Sequence, residues 1–276
     1  MGSYDLFMAR RRAPSPKKSL GQYFLRDEAV LREIATSVRQ PKGSRVVEVG
    51  PGTGQLTEAL LDAGFQVTAV ERDRRMMHHL AQRFHGHPRL TAVEGDIRDI
   101  DIGELVEAGE PFAVAGNLPY FIASPIVRHF LEQVCKPEEL VVMVQREVAR
   151  EMAAKPGKFS MLSVGIQTFG EPSVLFDVPP SAFDPQPKVV SSVVRITPHR
   201  SPLVEAGRQE MFFKVVRGAF RHSRKHVHNS ILRGTPYEPQ AISEALAAAG
   251  VEHERRPETL TIPEWLAVVG ALTDSR

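Results

Sequence analysis

The sequence predicts an α/β protein: a mostly parallel sheet with an antiparallel edge pair, followed by a small C-terminal helical domain. Three observations predict it. Short β-branched runs alternate with amphipathic stretches from about residue 29, two later runs (173–178 and 189–196) follow each other with no helix between them, and strand-like patterning stops after about residue 200.

The alternation begins with "RVVEVG", the helical "GQLTEALLDAG", "QVTAVE", "RRMMHHLAQRF" and "LTAVEGD". It continues with "FAVAGN", a helix expected to open with Ser124 as N-cap and Pro125 in its first turn, and "LVVMVQ". Strands of this length separated by helices of this length are the signature of βαβ units and a parallel sheet. The pair "SVLFDV" and "VVSSVVRI", joined by a proline-rich loop, is expected to pair antiparallel at the sheet edge. Residues 208–272 show helical periodicity. The expected organisation is a basic flexible arm over 1–18, an α/β domain over 19–200 and a helical domain over 201–276.

Composition narrows the function classes. A chain of 276 residues with 42% hydrophobic and 25% charged residues can bury large cores and is neither disordered nor fibrous. No apolar stretch approaches the ~18 to 20 residues of a membrane span, so a soluble protein without a membrane partner is expected. Cys135 is the only cysteine, which excludes an intramolecular disulfide framework and a multi-cysteine zinc site and points to a reducing, cytoplasmic compartment. The ten histidines, among them His78, His79, His85 and His87, lack ligand-spaced partners, so no metal is expected. The net charge is only +2, but it is unevenly placed: "ARRRAPSPKK" has five Lys or Arg and no acid, with no apolar run after it to make a secretory signal.

The first strand ends in "EVGPGTG", placing Gly50, Gly52 and Gly54 where a strand turns into a helix. Glycines there let the backbone approach a ligand, and the helix presents its N-terminus. Nicotinamide and flavin enzymes share this geometry, but a dinucleotide fingerprint reads G-x-G-x-x-G, whereas this turn reads G-x-G-x-G with Gln55 next. Glu48, Glu71 and Asp96 stand at the ends of three successive strands and line the crevice where open α/β sheets bind ligands. Glu71 occupies the position from which a carboxylate accepts from ribose hydroxyls, and Asp96 one from which it meets the amino group of an adenine.

Together with "GNLPY" (116–120), these residues resemble the class I (Rossmann-like) methyltransferases. "KKSLGQYFLRD", "VVEVGPGTGQLT", "AVERD", "EGDI", "NLPY", "VVMVQREVAREM" and "VPPSAFDPQPKVVSSVV" follow in the order of the ribosomal RNA adenine dimethyltransferases, with the small-subunit KsgA type the best match. The resemblance covers about residues 17–196 and continues more loosely to the end. It implies S-adenosylmethionine as cofactor and no metal. It places Gln22 and Leu25 at the methionine and sulfonium end, Gly50 and Gly52 along the cofactor backbone, Glu71 at the ribose, Asp96 and the Ile97 backbone at the adenine, and Asn117 beside the reactive methyl, with Tyr23, Glu48, Gly54 and Arg72 also among the cofactor-binding residues.

An exocyclic adenine amine is a poor nucleophile because its lone pair is delocalised into the ring. Acceptors aimed at its hydrogens favour the pyramidal geometry that frees the pair. The Asn117 side-chain oxygen and the Leu118 carbonyl can supply two, with Pro119 fixing the turn. Tyr120 offers a face to a flipped base and Phe183 a second one.

Residues 212–233 carry six Lys or Arg, three His and no acid. Lys214, Arg217, Arg221, Arg224, Lys225 and His228 fall at steps of three or four and are expected on one face of one helix, suited to RNA phosphates together with Lys188, Arg146 and the 10–18 arm. Tyr23 stands where the family usually has Asn or His, and Phe121 replaces the Asn that commonly follows the tyrosine. The expected activity is dimethylation of N6 on two adjacent adenines in a 3′-terminal hairpin loop of 16S rRNA, within an immature small subunit late in assembly, by a monomer. Competing readings are an Erm-type 23S rRNA methyltransferase, a non-enzymatic RNA-binding assembly or organellar transcription factor of the same descent, and a DNA adenine methyltransferase.

Overall fold

The computed structural model of the chain describes residues 14–17 and 21–274. Most of the basic arm expected over 1–18 lies outside the described residues. The chain opens with β1 (Phe24–Leu25) and α1 (Glu28–Ser37), then alternates through β2 (Arg45–Val49), α2 (Gln55–Asp62), β3 (Gln66–Glu71), α3 (Arg74–Arg83) and β4 (Leu90–Glu94). Next come β5 (Phe112–Asn117), α4 (Ala123–Glu132), β6 (Glu139–Gln145), α5 (Arg146–Met152), α6 (Met161–Gln167) and β7 (Gly170–Val178). β8 (Phe183–Asp184) and β9 (Ser191–Pro198) lead into α7 (Gln209–Phe220), α8 (Val227–Gly234), α9 (Pro239–Ala248) and α10 (Ile262–Asp274).

Seven strands form one sheet in the order β4-β3-β2-β5-β6-β9-β7. β2 pairs parallel with both β3 and β5, and β3 with β4, in registers that set Val49 opposite Val70 and Glu71 opposite Glu94. The carboxyl ends of these strands therefore fall on one side of the sheet, where α/β ligand crevices form. Apart from Glu48 and Thr68, the interiors of β2, β3 and β5 are apolar on both faces, as in buried parallel strands: Val46, Val47, Ala69, Ala113 and Val114 are inaccessible or nearly so. β7 and β9 are neighbours at the opposite edge, and the His199 N–H donates to the Phe169 carbonyl at 2.8 Å. The end of one strand thus meets the start of the other, the antiparallel pair expected from the short proline-rich connection.

The chain divides into two compact units. The first draws on the chain up to Ala123 with Val141–Val144 and Asp177–Ser191. Two of its helices start on side-chain caps: Asp27 accepts from the Ala29 and Val30 N–H groups, and Asp73 from that of Arg75. A separate antiparallel ladder pairs β1 with β8, setting Phe24 opposite Asp184 and Leu25 opposite Phe183. The second unit draws on Ser124–Leu140, Gln145–Phe176 and the chain from Ser192 onward. Among the described residues no strand follows Pro198, and Phe212, Val215, Val216, Ile231, Leu246 and Trp265 are buried there.

Two local expectations are corrected. The helix after "GNLPY" begins at Ala123, so Ser124 lies inside its first turn rather than at its cap; the Pro119–Ile122 turn, closed by the Ile122 N–H to the Pro119 carbonyl at 3.0 Å, delivers the chain into helix early. The basic segment is not one helix: α7 stops at Phe220 and α8 starts at Val227. Gly218 and Gly234 let the two helices pack closely across the turn. A β-carbon on Gly218 would stand 2.4 Å from the Gly234 carbonyl oxygen, so the backbones meet where only glycines fit. The Ser230 hydroxyl, 2.9 Å from the His222 carbonyl, ties the turn from within α8. Lys214, Arg217 and Arg221 thus belong to α7 and its C-cap, Arg224 and Lys225 to the turn, and His228 to α8.

Candidate active site

The crevice is built from the ends of β2, β3, β4 and β5. Gly50, Gly52 and Gly54 all have positive φ (66°, 56° and 83°), the left-handed region that glycine enters without penalty. Gly54 caps α2, and a β-carbon there would meet the Phe84 ring at 2.7 Å, whereas one at Gly50 would meet nothing within 4 Å. The Gly50 backbone therefore faces open space, room for a ligand to approach.

Three carboxyl groups mark the strand ends, in three different electrostatic states. Glu48 is fully buried and accepts from the Thr57 hydroxyl at 2.6 Å; burial, reinforced by the nearby Glu71, pushes its pKa up to about 8. Glu71 is also raised by burial, but its two oxygens accept from the Asp73 N–H (2.7 Å) and the Gly52 N–H (3.0 Å), which oppose the shift. Glu71 thereby ties the glycine turn to the third strand. Asp96 is held down to about 2 by hydrogen bonds from Arg98, with Arg72 at 3.2 Å adding to the field. Ile97, buried at 3% exposure, follows it.

The shift at Glu48 has a measurable sign. Its folded pKa lies above the ordinary carboxyl value of 4.5, so the fold favours the protonated form; that contribution is complete below 4.5 and is lost as pH rises to about 8. Glu48→Gln keeps an acceptor for Thr57 and cannot ionise. The melting temperature of the variant is expected to gain on that of the unmodified protein as pH rises through this window. A difference that does not change with pH would show that Glu48 is charged in the fold.

The second half of the site joins "GQYF" to "GNLPY". The Asn117 side-chain N–H donates to the Tyr23 carbonyl at 2.8 Å, which turns Oδ1 the other way. Neither Asn117 Oδ1 nor the Leu118 carbonyl oxygen receives a donor among the described residues. Leu118 is held by its own N–H, which donates to the Met143 carbonyl at 3.1 Å, and Gly116 lets β5 close on β2, since a β-carbon there would stand 2.8 Å from the Val49 carbonyl oxygen. The Tyr23 and Tyr120 rings stack at 5.7 Å and 20°, and the Tyr120 hydroxyl pairs with that of Ser191 at 2.7 Å.

Gln22 sits at the same junction, donating to Asp73 at 3.2 Å and accepting from the Lys17 N–H at 2.8 Å. Leu25 is buried, and Phe183, its partner in the β1–β8 ladder, is 3% exposed, with Lys188 exposed nearby in sequence. Sequence reasoning misses Asp73. It is buried, accepts from Gln22 and Arg75, and is kept below the usual carboxylate range mainly by Arg75. Its only sequence signal is "ERD", three polar residues closing a strand. The stacking of Tyr23 on Tyr120, like the Ser191 contact, brings together residues far apart in sequence. Lys214, Arg217, Arg221, Arg224 and Lys225 are all exposed in the second unit. Among the described residues, no group of three or more His, Cys, Asp or Glu could hold a metal ion, and no helix is long and apolar enough to cross a membrane.

Comparison with known proteins agrees with this geometry. A family model described as "Ribosomal RNA adenine dimethylase" matches residues 14–272. A "Ribosomal RNA small subunit methyltransferase A" from Desulfitobacterium hafniense is 43% identical over 258 residues, covering 92% of this chain and 91% of the relative. One from Dehalococcoides mccartyi is 38% identical over 249 residues, covering 90% and 86%. Among solved structures, the 23S rRNA methyltransferase ErmE superposes with TM-score 0.71 at 31% identity, covering 91% of this chain and 99% of that one. A dimethyladenosine transferase from Plasmodium falciparum has the same fold, with TM-score 0.75 at 23% identity over 89% and 95%.

Proposed function

The chain belongs to the ribosomal RNA adenine dimethylase family, and from that membership and the geometry of its strand ends we propose how it methylates RNA. It is an S-adenosylmethionine-dependent rRNA adenine dimethyltransferase. Its substrate in this reading is N6 of two adjacent adenines in a hairpin loop near the 3′ end of small-subunit rRNA. The observation that carries the reading is the Asn117 amide, whose N–H is engaged by the Tyr23 carbonyl and whose oxygen is left to accept.

The residues present fit the cofactor. Gly50, whose backbone faces open space, would give it room, with Gly52 and Gly54 shaping the turn beneath and the buried Glu48 supporting it from behind; Glu71 and Arg72 would hold the ribose hydroxyls, Asp96 and Ile97 the adenine, and Gln22, Tyr23 and Leu25 the amino-acid end. Burial and the nearby Glu71 favour the neutral form of the Glu48 carboxyl. S-adenosylmethionine, when bound, supplies a methyl group already activated by its sulfonium. The protein's own part is placement. In the first transfer Asn117 Oδ1 and the Leu118 carbonyl would accept the two amine hydrogens and draw the nitrogen toward pyramidal geometry, and in the second they would share the one that remains, each transfer breaking the sulfonium–methyl bond and releasing one amine proton to solvent, while Pro119 holds the turn. Tyr120 takes the flipped base on its ring, anchored by Ser191 and backed by Tyr23. Phe183, 3% exposed and paired with Leu25 in the β1–β8 ladder, leaves the stacking to Tyr120 in this reading.

Residues 19–200 carry the chemistry in this reading, and residues 201–276 bind RNA through Lys214, Arg217, Arg221, Arg224 and Lys225, with Lys188 contributing. A base must come from an accessible loop to be flipped, which favours an immature small subunit late in assembly as the partner of a cytoplasmic, monomeric enzyme. The choice of subunit follows the relatives at up to 43% identity over the 31% of ErmE. Nucleoside mass spectrometry of isolated subunits incubated with protein and S-adenosylmethionine tests it. N6,N6-dimethyladenosine is expected from immature small subunits; methylation confined to large-subunit RNA would reverse the choice.

A further inference from the structure

Phe121, the residue after the proposed base-stacking tyrosine, is 62% exposed, and no other Phe, Tyr or Trp among the described residues is exposed. Leaving such a ring in water forgoes most of the roughly 1.5 to 3 kcal/mol its burial gives. The ring is nevertheless supported. A β-carbon at Gly21 would stand 3.1 Å from Phe121 Cε1 and 3.3 Å from Cδ1, so the ring rests against the backbone at the start of "GQYF", where Gly21 has φ +62°. The Pro119–Ile122 turn fixes its base. Tyr120, by contrast, is committed inward, its hydroxyl to Ser191 and its ring to Tyr23.

Two consecutive aromatic residues at one turn thus have opposite assignments. We propose that Phe121 is a second stacking platform, taking the nucleobase adjacent to the adenine held at Tyr120. The inference rests on the RNA-methylating reading of the site and adds a residue to it. Stacking suits the position because every base has a π-face, so the platform grips the flanking nucleotide without reading its sequence. It also holds the strand at the mouth while its neighbour is flipped, and a loop with two adjacent target adenines offers the same contact on either side.

The test uses the full chain and a hairpin RNA carrying 2-aminopurine next to the target adenine. Binding should change the 2-aminopurine fluorescence with the unmodified protein. Phe121→Leu keeps an apolar contact with Gly21 but has no π-face; it should abolish that change and weaken RNA binding by roughly 5- to 150-fold, the range expected for removing one base–aromatic stack. Melting temperature and S-adenosylmethionine affinity should stay unchanged, and Phe121→Trp should restore both signal and affinity. A Leu variant that binds with the original affinity and signal, or a Trp variant no better than Leu, overturns the proposal. Absence of methylation by the unmodified protein on either subunit would instead sink the enzymatic reading, and the fluorescence arm would still decide for or against Phe121.

Discussion

Asn117→Ala is expected to lose methyl transfer by roughly 10²- to 10³-fold, the effect of removing one preorganised acceptor or donor from a transition-state site. Cofactor binding should largely survive. Isothermal titration with S-adenosylmethionine beside a tritiated-methyl transfer assay separates the two, because the side chain acts on the amine rather than on the adenosyl group. The amide has two jobs in the structure: its N–H is spent on the Tyr23 carbonyl at 2.8 Å, and its oxygen is thereby oriented. Asn117→Asp distinguishes them. It keeps acceptor oxygens but sets one against the Tyr23 carbonyl, so it should also lose transfer if orientation matters, and it should retain most of it if an acceptor of any orientation suffices. Undiminished transfer in the Ala variant would remove Asn117 from the reaction.

The strand-end acids are legible in the sequence because each stands at or within two residues of the end of an apolar run, Glu48 just before the last residue of β2, Glu71 closing β3 and Asp96 just past β4. Glu48, Glu71 and Asp96 need no knowledge of the tertiary fold. Their differences do. Nothing local separates Glu48, pushed up to about 8 by burial, from Asp96, held at about 2 by two arginines. Asp73 is silent in the sequence because its importance comes from convergence: Gln22 reaches it across 51 positions and Arg75 across two. The β1–β8 ladder has two residues per strand, too few to show a period. The break in the basic segment is instructive in another way. Cationic spacing of three and four runs straight through it, while the contacts that go with the turn, Gly218 against Gly234 and the Ser230 hydroxyl on the His222 carbonyl, are not written in that spacing.

That turn shapes the second large expectation. Replacing Lys214, Arg217, Arg221, Arg224 and Lys225 by Gln should weaken RNA binding steeply at low salt and flatten its salt dependence. Each cation that no longer neutralises a phosphate lowers the slope of log K against log salt by about 0.7 to 0.9, so five such cations would account for about 3.5 to 4.5. Turnover at saturating RNA should hold, with the loss in KM, since none of these residues lies in the unit that carries Asn117. Substituting the α7 set (Lys214, Arg217, Arg221) and the turn pair (Arg224, Lys225) separately then asks whether both backbone directions meet phosphate. A single rod-like helix would have made the five a continuous stripe; the reversal makes the turn pair an independent contribution, expected to remove about 1.4 to 1.8 of the slope. Arg217 and Arg221 also sit at the C-terminus of α7, where cations favour the helix by about 0.3 to 1 kcal/mol, so the melting temperature must be followed beside the binding curves. A turn-pair variant with the original salt slope would confine the RNA surface to α7, and an unchanged slope in all five would take RNA binding away from this face altogether.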